Sequence, residues 1–217
     1  MSESHIHLLP SEEPASHCSR IPTPRARRWR SPLESDEQKP VVSVFVTPRA
    51  YVRFCAHAGS DLDHEVGGVL VGERYADETT EEPFIMVEAV LPARHTRQGS
   101  AYLTFTQDSL VALNDELEER YPGKEMVGWY HTHPRMGVFL SGYDTWLHEY
   151  FFPAPWQVAL VIEPHSVTGG FFVRKADGSL DPRRYAGFYE LIEDDAQSVV
   201  HWRNLEPDPA VEGSEGE

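Results

Sequence analysis

Two histidines separated by one residue, His131 and His133, end an apolar run and are followed eleven positions later by Asp144. At the end of a strand, residues two apart project to the same side, so both imidazoles can reach one ion. Two imidazoles and one carboxylate supply three zinc ligands and leave the fourth position for water, which is typical of catalytic rather than structural sites. Zinc suits this set of ligands, although ligand chemistry alone does not exclude another divalent metal.

Hydrolysis at such a metal also needs a base and a donor for the oxyanion. Zinc lowers the pKa of its water to about 7, but a side chain must take the proton and return it to the leaving amine. We predict Glu65 as this group, because it precedes a Val-Gly-Gly-Val strand where loss of hydration raises a carboxyl pKa. Ser141, three residues before Asp144, is the nearest candidate to donate to the oxyanion.

Each of these residues also has an ordinary structural interpretation. Ser141 and Asp144 are spaced like a helix capping box, which is compatible with a catalytic role. Taken singly, His131 and His133 could be strand residues with ordinary hydrogen bonds, and Glu65 could be a solvent-facing carboxylate. The joint occurrence of two histidines, Pro134, a serine and an aspartate at fixed offsets, even before Glu65 is counted, favours the catalytic interpretation.

Strand and helix signals alternate through the middle of the chain. Apolar or β-branched runs predict strands at residues 41–46, 66–72, 84–91, 126–130, 157–162 and 170–174. Helices are predicted from Thr47-Pro48, from Thr106 to Tyr121, and from about Ser141. Residues 185–192 could add a strand or a helix. The pattern predicts a mixed α/β fold, with one sheet flanked by helices.

The charge balance argues against several classes of partner. The 217-residue chain has a formal net charge of −16 at pH 7, and its arginines cluster only at residues 25–30, so nucleic acid is not expected as the main partner. No apolar stretch approaches the roughly 18–20 residues that cross a membrane. The N-terminus lacks the order of a secretory signal, and two cysteines make no disulfide framework, so a cytoplasmic location is expected.

Composition divides the chain into three predicted segments. Residues 1–40 contain six prolines among Ser, Glu and Arg and are expected to form a mobile leader. Residues 41–192 are expected to form the metal-binding domain. Residues 193–217 are expected to be a solvated acidic tail.

The five candidate residues match a known sequence signature. Glu65, then His131-Thr132-His133-Pro134, then Ser141-x-x-Asp144 resembles the JAMM signature of the zinc-dependent MPN (Mov34/PAD-1) metalloproteases. Residues 128–131 together with 140–144 are especially similar to the deubiquitinating and deneddylating branch of that family. The resemblance covers about residues 41–192 and is specific at the motif and vague elsewhere.

The resemblance implies a curved mixed sheet with flanking helices, the MPN/JAB fold, which is akin to that of cytidine deaminases. It implies that His131, His133 and Asp144 hold one zinc ion, with Glu65 as general acid/base and Ser141 as oxyanion donor. The implied reaction is hydrolysis of the amide that joins the C-terminal glycine of a ubiquitin-like protein to a lysine. The implied partners are ubiquitin-like proteins, their conjugates and other components of a conjugation system.

Two segments near the motif bear on substrate recognition. Residues 93–105 correspond to a region that in relatives can form a strand against the extended tail of the substrate, which makes Thr104 and Phe105 substrate-binding candidates. The segment after the Asp144 helix is short, which leaves little room for the second insertion that helps some relatives grip a proximal ubiquitin. His148, one helical turn beyond Asp144, could support the ligands, but we interpret it as a surface histidine.

Three other functions are considered. The same chemistry could trim a sulfur-carrier protein with a ubiquitin fold. A non-catalytic MPN scaffold would typically lack some of the metal ligands, all of which are present here. A deaminase is disfavoured because the chain lacks His/Cys-x-Glu together with Pro-Cys-x-x-Cys.

Overall fold

The computed structural model describes residues 17–35, 39–93, 107–192 and 197–208, and within them ten strands form one mixed sheet. The strands are β1 (His17–Ser19), β2 (Ala26–Arg30), β3 (Ser43–Val46), β4 (Gly67–Asp77), β5 (Pro83–Pro92), β6 (Glu125–Thr132), β7 (Val158–Glu163), β8 (Thr168–Phe172), β9 (Phe188–Leu191) and β10 (Glu206–Pro207). Their order across the sheet is β10-β2-β9-β3-β5-β4-β6-β7-β8, and β1 pairs in parallel with the end of β4.

The described residues also form three α-helices, α1 (Pro48–Ala58), α2 (Gln107–Arg120) and α3 (Gly142–Phe151). The start of α1 is as predicted, because Thr47 Oγ1 accepts a hydrogen bond from the Ala50 amide over 3.2 Å and proline occupies the first helical turn. The helix predicted over residues 106–121 is confirmed as α2, although its predicted cap, Thr106, lies outside the described residues. None of these helices is long and apolar enough to cross a membrane.

The central strand, β4, is longer than its sequence pattern indicated and is antiparallel to both of its long neighbours, β5 and β6. Gly68 permits the close approach to β5, since a Cβ there would lie 2.1 Å from the carbonyl oxygen of Leu91. The register of β4 shifts near Val71 against each neighbour, and such bulges bend and twist a strand. The result is the mixed sheet that the sequence pattern predicted, with the curvature that the family resemblance implied.

Both faces of the sheet are buried. One face packs with α1 around Phe54 and Tyr130, and the other packs with α2 and α3 around Leu147 and Trp129. Because successive strand residues point to opposite faces, His131 lies on the same face as Trp129. The tip of β6 therefore directs this histidine toward α3.

Three strands of the sheet come from segments that composition places outside the domain. Residues 17–19, within the predicted leader 1–40, form β1, which pairs in parallel with β4. Residues 26–30 of the same predicted leader form β2, which pairs antiparallel with β9. Trp29 of this strand is only 9% exposed. Residues 206–207, within the predicted acidic tail 193–217, form β10 and pair with β2. The prediction of a mobile leader and a solvated tail is therefore wrong for these residues, while residues 1–16 and 209–217 lie outside the described part of the chain.

The last strands resolve the remaining predictions. β7 is parallel to β6, and β7 and β8 form the predicted antiparallel pair. Residues 188–191 form the strand β9, one of the two alternatives for residues 185–192. β9 lies between β2 and β3, so the end of the domain is built into the middle of the sheet rather than added at its edge.

Candidate metal centre

β6 and α3 bring the three predicted ligands together. His131 is the penultimate residue of β6, His133 follows directly after the strand, and Asp144 lies in the first turn of α3. Their exposed fractions are 0%, 2% and 4%, respectively. One donor atom from each residue lies within 4.8 Å of the others, and no other group of three His, Cys, Asp or Glu converges in this way within the described residues.

The spacing of the donor atoms fits a tetrahedral ion. The two imidazole Nε2 atoms, of His131 and His133, are 2.9 Å apart. Asp144 Oδ1 lies 3.4 Å from Nε2 of His131, and Oδ2 lies 3.5 Å from Nε2 of His133. Ligand atoms about 2.1 Å from a tetrahedral zinc would be about 3.4 Å apart. Each imidazole thus has one carboxylate oxygen at about this distance, and the two imidazoles are about 0.5 Å closer to each other, so adjustments of the side chains would let the three residues hold an ion.

The protonation of the group also suits a cation. Burial would raise the pKa of Asp144, but hydrogen bonds to His131 and His133 outweigh it and hold this pKa far below its usual range. Burial lowers the pKa of His131, with the nearby His133 acting in the same direction and Asp144 opposing both. An ionised carboxylate and a neutral imidazole are the forms that bind metal.

Ser141 is the N-cap residue of α3 and forms a capping box with Asp144. Its Oγ accepts a hydrogen bond from the Asp144 amide over 3.2 Å, and its own amide donates to Asp144 Oδ2 over 2.7 Å. The structural interpretation of this pair is therefore confirmed. The oxyanion role stays a prediction, and it is compatible with the cap because an Oγ that accepts from an amide can still donate its own proton.

Glu65 is a buried carboxylate near the start of β4. It is 9% exposed and lies two residues before that strand, whose Gly67 pairs with His131. Thr132 fixes the neighbouring residue from both sides: its amide donates to the carbonyl oxygen of Val66 over 2.8 Å, and its Oγ1 accepts from the Val66 amide over 2.9 Å. Extending this register by two residues places Glu65 opposite His133, on the ligand face of the sheet.

The turn that follows His133 is held by Glu163, a residue that sequence reasoning did not single out. Its carboxylate is 4% exposed and accepts from the amides of Arg135 (3.0 Å), His165 (2.9 Å) and Ser166 (2.7 Å). Burial would raise the pKa of Glu163, but the hydrogen bonds it accepts outweigh this and lower it to about 2. Arg135 has φ 63°, a left-handed conformation that costs free energy and that the bond to Glu163 helps to maintain.

His148 is not the surface histidine that the sequence suggested. It is fully buried, and its Nδ1 accepts a hydrogen bond from Nε1 of Trp129 over 3.1 Å. The indole of Trp129 stacks on the ring of His131, with centroids 4.5 Å apart and planes 8° from parallel. The sequence carried one signal of this burial, since positions 144, 147 and 148 are spaced to share one face of a helix. In the structure all three residues are buried on that face of α3.

The predicted substrate-binding residues Thr104 and Phe105 lie outside the described residues, as do residues 94–103 of the predicted loop. Phe139 is a further residue at the site, with its ring 4.8 Å from that of His133. The predicted ligands His131, His133 and Asp144 thus lie in one cluster, with the rings of Trp129 and Phe139 against the two histidines.

Comparison with known proteins identifies the family. Residues 39–153, more than half of the chain, match the family model described as JAB1/Mov34/MPN/PAD-1 ubiquitin protease. The chain therefore belongs to this family. The family contains the signature that the sequence resembled.

The chain is similar to proteins with different names and functions. The chain is 25% identical over 157 residues to 26S proteasome non-ATPase regulatory subunit 14 of Caenorhabditis elegans, covering 72% of this chain and 49% of that protein. It is 25% identical over 173 residues to ubiquitin carboxyl-terminal hydrolase RPN11 of Saccharomyces cerevisiae, covering 75% and 55%. It is 39% identical over 79 residues to NAD(+) hydrolase TcpA of a Theionarchaea archaeon, covering 36% and 24%. The chain thus spans about half the length, or less, of these relatives.

Among solved structures, the chain is similar to protein DSY2949 from Desulfitobacterium hafniense. The TM-score is 0.48 at 25% sequence identity, and the match covers 73% of this chain and 98% of that one.

Proposed function

We propose that this protein is a zinc-dependent metalloprotease that hydrolyses the isopeptide or peptide bond after the C-terminal glycine of a ubiquitin-like protein. The observation that carries the proposal is the convergence of His131, His133 and Asp144 in one buried group, and the extended register of β4 and β6 adds the buried Glu65 opposite His133. A non-catalytic member of the family would have no need of all three donors and a buried glutamate on the same face. Family membership and similarity to a ubiquitin carboxyl-terminal hydrolase support the choice of substrate.

Each residue of the site has a part in this reaction. A bound zinc ion supplies Lewis acidity, which polarises a scissile carbonyl and makes water more acidic. His131, His133 and Asp144 hold the ion in place. Glu65 takes a proton from the attacking water and returns it to the leaving amine. The hydroxyl of Ser141 donates to the carbonyl oxygen as negative charge develops on it.

The test is intact-mass analysis of a lysine-linked ubiquitin conjugate, incubated with the zinc-loaded protein with and without a zinc chelator. We expect free ubiquitin that ends in its native glycine, and no release when the chelator is present. A linear ubiquitin fusion and a sulfur-carrier protein with a C-terminal extension are incubated in parallel, because they separate isopeptide cleavage from precursor processing and from trimming. If the zinc-loaded protein cleaves none of these three substrates, the proposal is overturned.

Two variants separate metal binding from proton transfer. Glu65→Gln keeps the size of the side chain but removes the base, so we expect normal zinc content and turnover reduced by about 10²–10⁴. His133→Ala removes a ligand, so we expect loss of both zinc and turnover. Glu149→Gln, an exposed change on α3, is the matched control and should leave both unchanged. Full turnover in Glu65→Gln would contradict the assignment of the base.

A further inference from the structure

The outer surroundings of the histidine ligands differ from the usual pattern. A metal-binding histidine generally donates its second ring N–H to a carboxylate or carbonyl, which fixes the orientation of the ring. Within the part of the chain that the structure describes, Nδ1 of His131 and Nδ1 of His133 are buried and have no hydrogen-bond partner. Another contact must therefore determine which way the His131 ring points.

Outside the ligand group itself, His131 contacts the face of Trp129. The two rings are 8° from parallel with their centroids 4.5 Å apart, and both residues are fully buried. They are neighbours on one face of β6, two positions apart, so the strand itself brings the rings together. Since the imidazole lies flat against the indole, any tilt of the indole would tilt the imidazole as well.

His148 determines the angle of that indole. An indole nitrogen can only donate a hydrogen bond, so the 3.1 Å contact requires Nδ1 of His148 to be the acceptor and its proton to be on Nε2. Burial, helped by the positive charge of Arg174, lowers the pKa of His148 to about 3, which keeps the ring neutral and Nδ1 free to accept. Phe152 stacks against both rings, 17° from parallel to Trp129 and 14° from parallel to His148.

The burial of His148 has a cost that packing does not explain. Its Nε2 is buried without a hydrogen-bond partner among the described residues, and an unsatisfied buried donor costs about 1–3 kcal/mol. An apolar side chain would fill the same space on α3 without this cost. The hydrogen bond to Trp129 is the one interaction in the described structure that requires a histidine at this position.

We propose that His148 is a positioning residue for the metal centre: by holding the indole of Trp129, it aligns the ring of His131 and so directs Nε2 of His131 toward the ion. This inference rests on the proposed metal role of His131. It assigns to α3 two separate contributions, a ligand from its first turn and, one turn later, the residue that orients a ligand of β6. His148 itself does not contact metal or substrate.

The test measures zinc affinity by competition with a chromophoric chelator, together with the visible absorption spectrum of the Co²⁺-substituted protein. His148→Leu removes the acceptor, and Trp129→Phe removes the donor while keeping a flat ring. We expect each to weaken zinc binding about 10–100-fold, as the loss of an outer partner of a ligand does, and to change the Co²⁺ spectrum. His148→Asn keeps an acceptor oxygen near the position of Nδ1 and should restore most of the affinity.

The double variant tests whether the two residues act together. If they act through one hydrogen bond, His148→Leu combined with Trp129→Phe binds zinc no more weakly than the weaker single variant. Trp146→Phe is the matched control, because Trp146 lies on α3 but is 49% exposed, and it should not change the zinc affinity. Thermal unfolding of the metal-free proteins shows separately how far each change destabilises the fold.

The outcomes distinguish this inference from the proposed function. Unchanged zinc affinity and an unchanged Co²⁺ spectrum in Trp129→Phe would overturn the inference, even if His148→Leu failed to fold. Additive losses in the double variant would also overturn it, because the residues would then act independently. A wild-type protein that binds no zinc would instead overturn the proposed function, and one that binds zinc but cleaves no conjugate would do so while leaving the positioning role intact.

Discussion

Ser141 and Asp144 form two hydrogen bonds with each other at the start of α3, one in each direction between a side chain and an amide. The carboxylate that accepts from the Ser141 amide is the same one that lies 3.4 Å from His131 and 3.5 Å from His133. A feature that begins a helix thus also fixes the position of a candidate ligand. A substitution of Asp144 would disturb both the helix cap and the candidate ligand group. A substitution of Ser141 removes the cap oxygen and leaves all three candidate ligands in place.

Replacement of Ser141 by alanine should affect stability and catalysis to different extents. Loss of the N-cap oxygen should lower the free energy of unfolding by about 1 kcal/mol. Loss of an oxyanion donor should lower turnover by about 10²–10³. Zinc content should be unchanged, because the backbone amide still donates to Asp144. Ser141→Gly is the control, since glycine at an N-cap costs only a few tenths of a kcal/mol and has no hydroxyl, so it should restore most of the stability but not the turnover. Normal turnover in Ser141→Ala would leave Ser141 as a helix cap alone.

Thr132 should matter through the position of Glu65. Thr132→Val removes the Oγ1 that accepts from the Val66 amide, so the chain around Glu65 loses one of its two bonds to β6. We expect turnover to fall by about 10–100-fold, because small displacements of a catalytic group are costly, with zinc affinity unchanged. Thr132→Ser keeps the hydroxyl and should recover most of the turnover. Equal losses in the serine and valine variants would show that this hydrogen bond is not responsible.

Glu163 should make the fold sensitive to acid. Its pKa is lowered from 4.5 to about 2 in the folded protein, so the ionised form stabilises the fold. This contribution is fully present above about pH 4.5, and it is lost as the pH falls through about 2. The shift corresponds to on the order of 3 kcal/mol. Urea unfolding between pH 5 and pH 2 should therefore show a steeper loss of stability in the wild type than in Glu163→Gln.

Glu119→Gln, on the exposed face of α2, provides the comparison for Glu163→Gln. It should follow the wild-type pH dependence and have wild-type stability at neutral pH, where Glu163→Gln is already destabilised. Parallel curves for the wild type and Glu163→Gln would mean that the three amide bonds to this carboxylate do not determine its titration.

Trp29 should contribute to the core although it lies within residues that resemble a leader. It is 9% exposed, and its Nε1 donates to Oε2 of the buried Glu190 over 3.0 Å. Trp29→Ala should lower the free energy of unfolding by about 3 kcal/mol, as removal of a large core side chain does. Val52→Ala, at a position 51% exposed on α1, should change it by less than about 0.5 kcal/mol. A similarly small effect of Trp29→Ala would show that β2 is dispensable for the fold.

Local sequence was sufficient for the features that depend on nearby residues. The caps at Thr47 and Ser141 follow from side chains that bond to amides three residues away, so the starts of α1 and α3 could be predicted. The alternation of a strand places His131 and His133 on one side without any knowledge of the fold. The spacing of the motif adds Asp144 to the predicted ligands, and the apolar strand that follows Glu65 makes this residue the candidate base.

Features that depend on distant residues were decided by the tertiary structure. β2 pairs with β9, about 160 positions away in the chain. The Arg-rich residues 26–30 carry no strong strand pattern of their own, because the pairing with β9 is what stabilises them as a strand. The helical spacing of His148 from Asp144 and Leu147 indicates a shared face, but only the packing of α3 on β6 shows that His148 is enclosed beside Trp129. The sequence by itself determined which residues could bind a metal and where the helices begin. Only the tertiary structure determined what holds those residues in position, because the Trp129–His148 bond, the Arg135–Glu163 bond and the pairing of the outer strands each join separate elements of the chain.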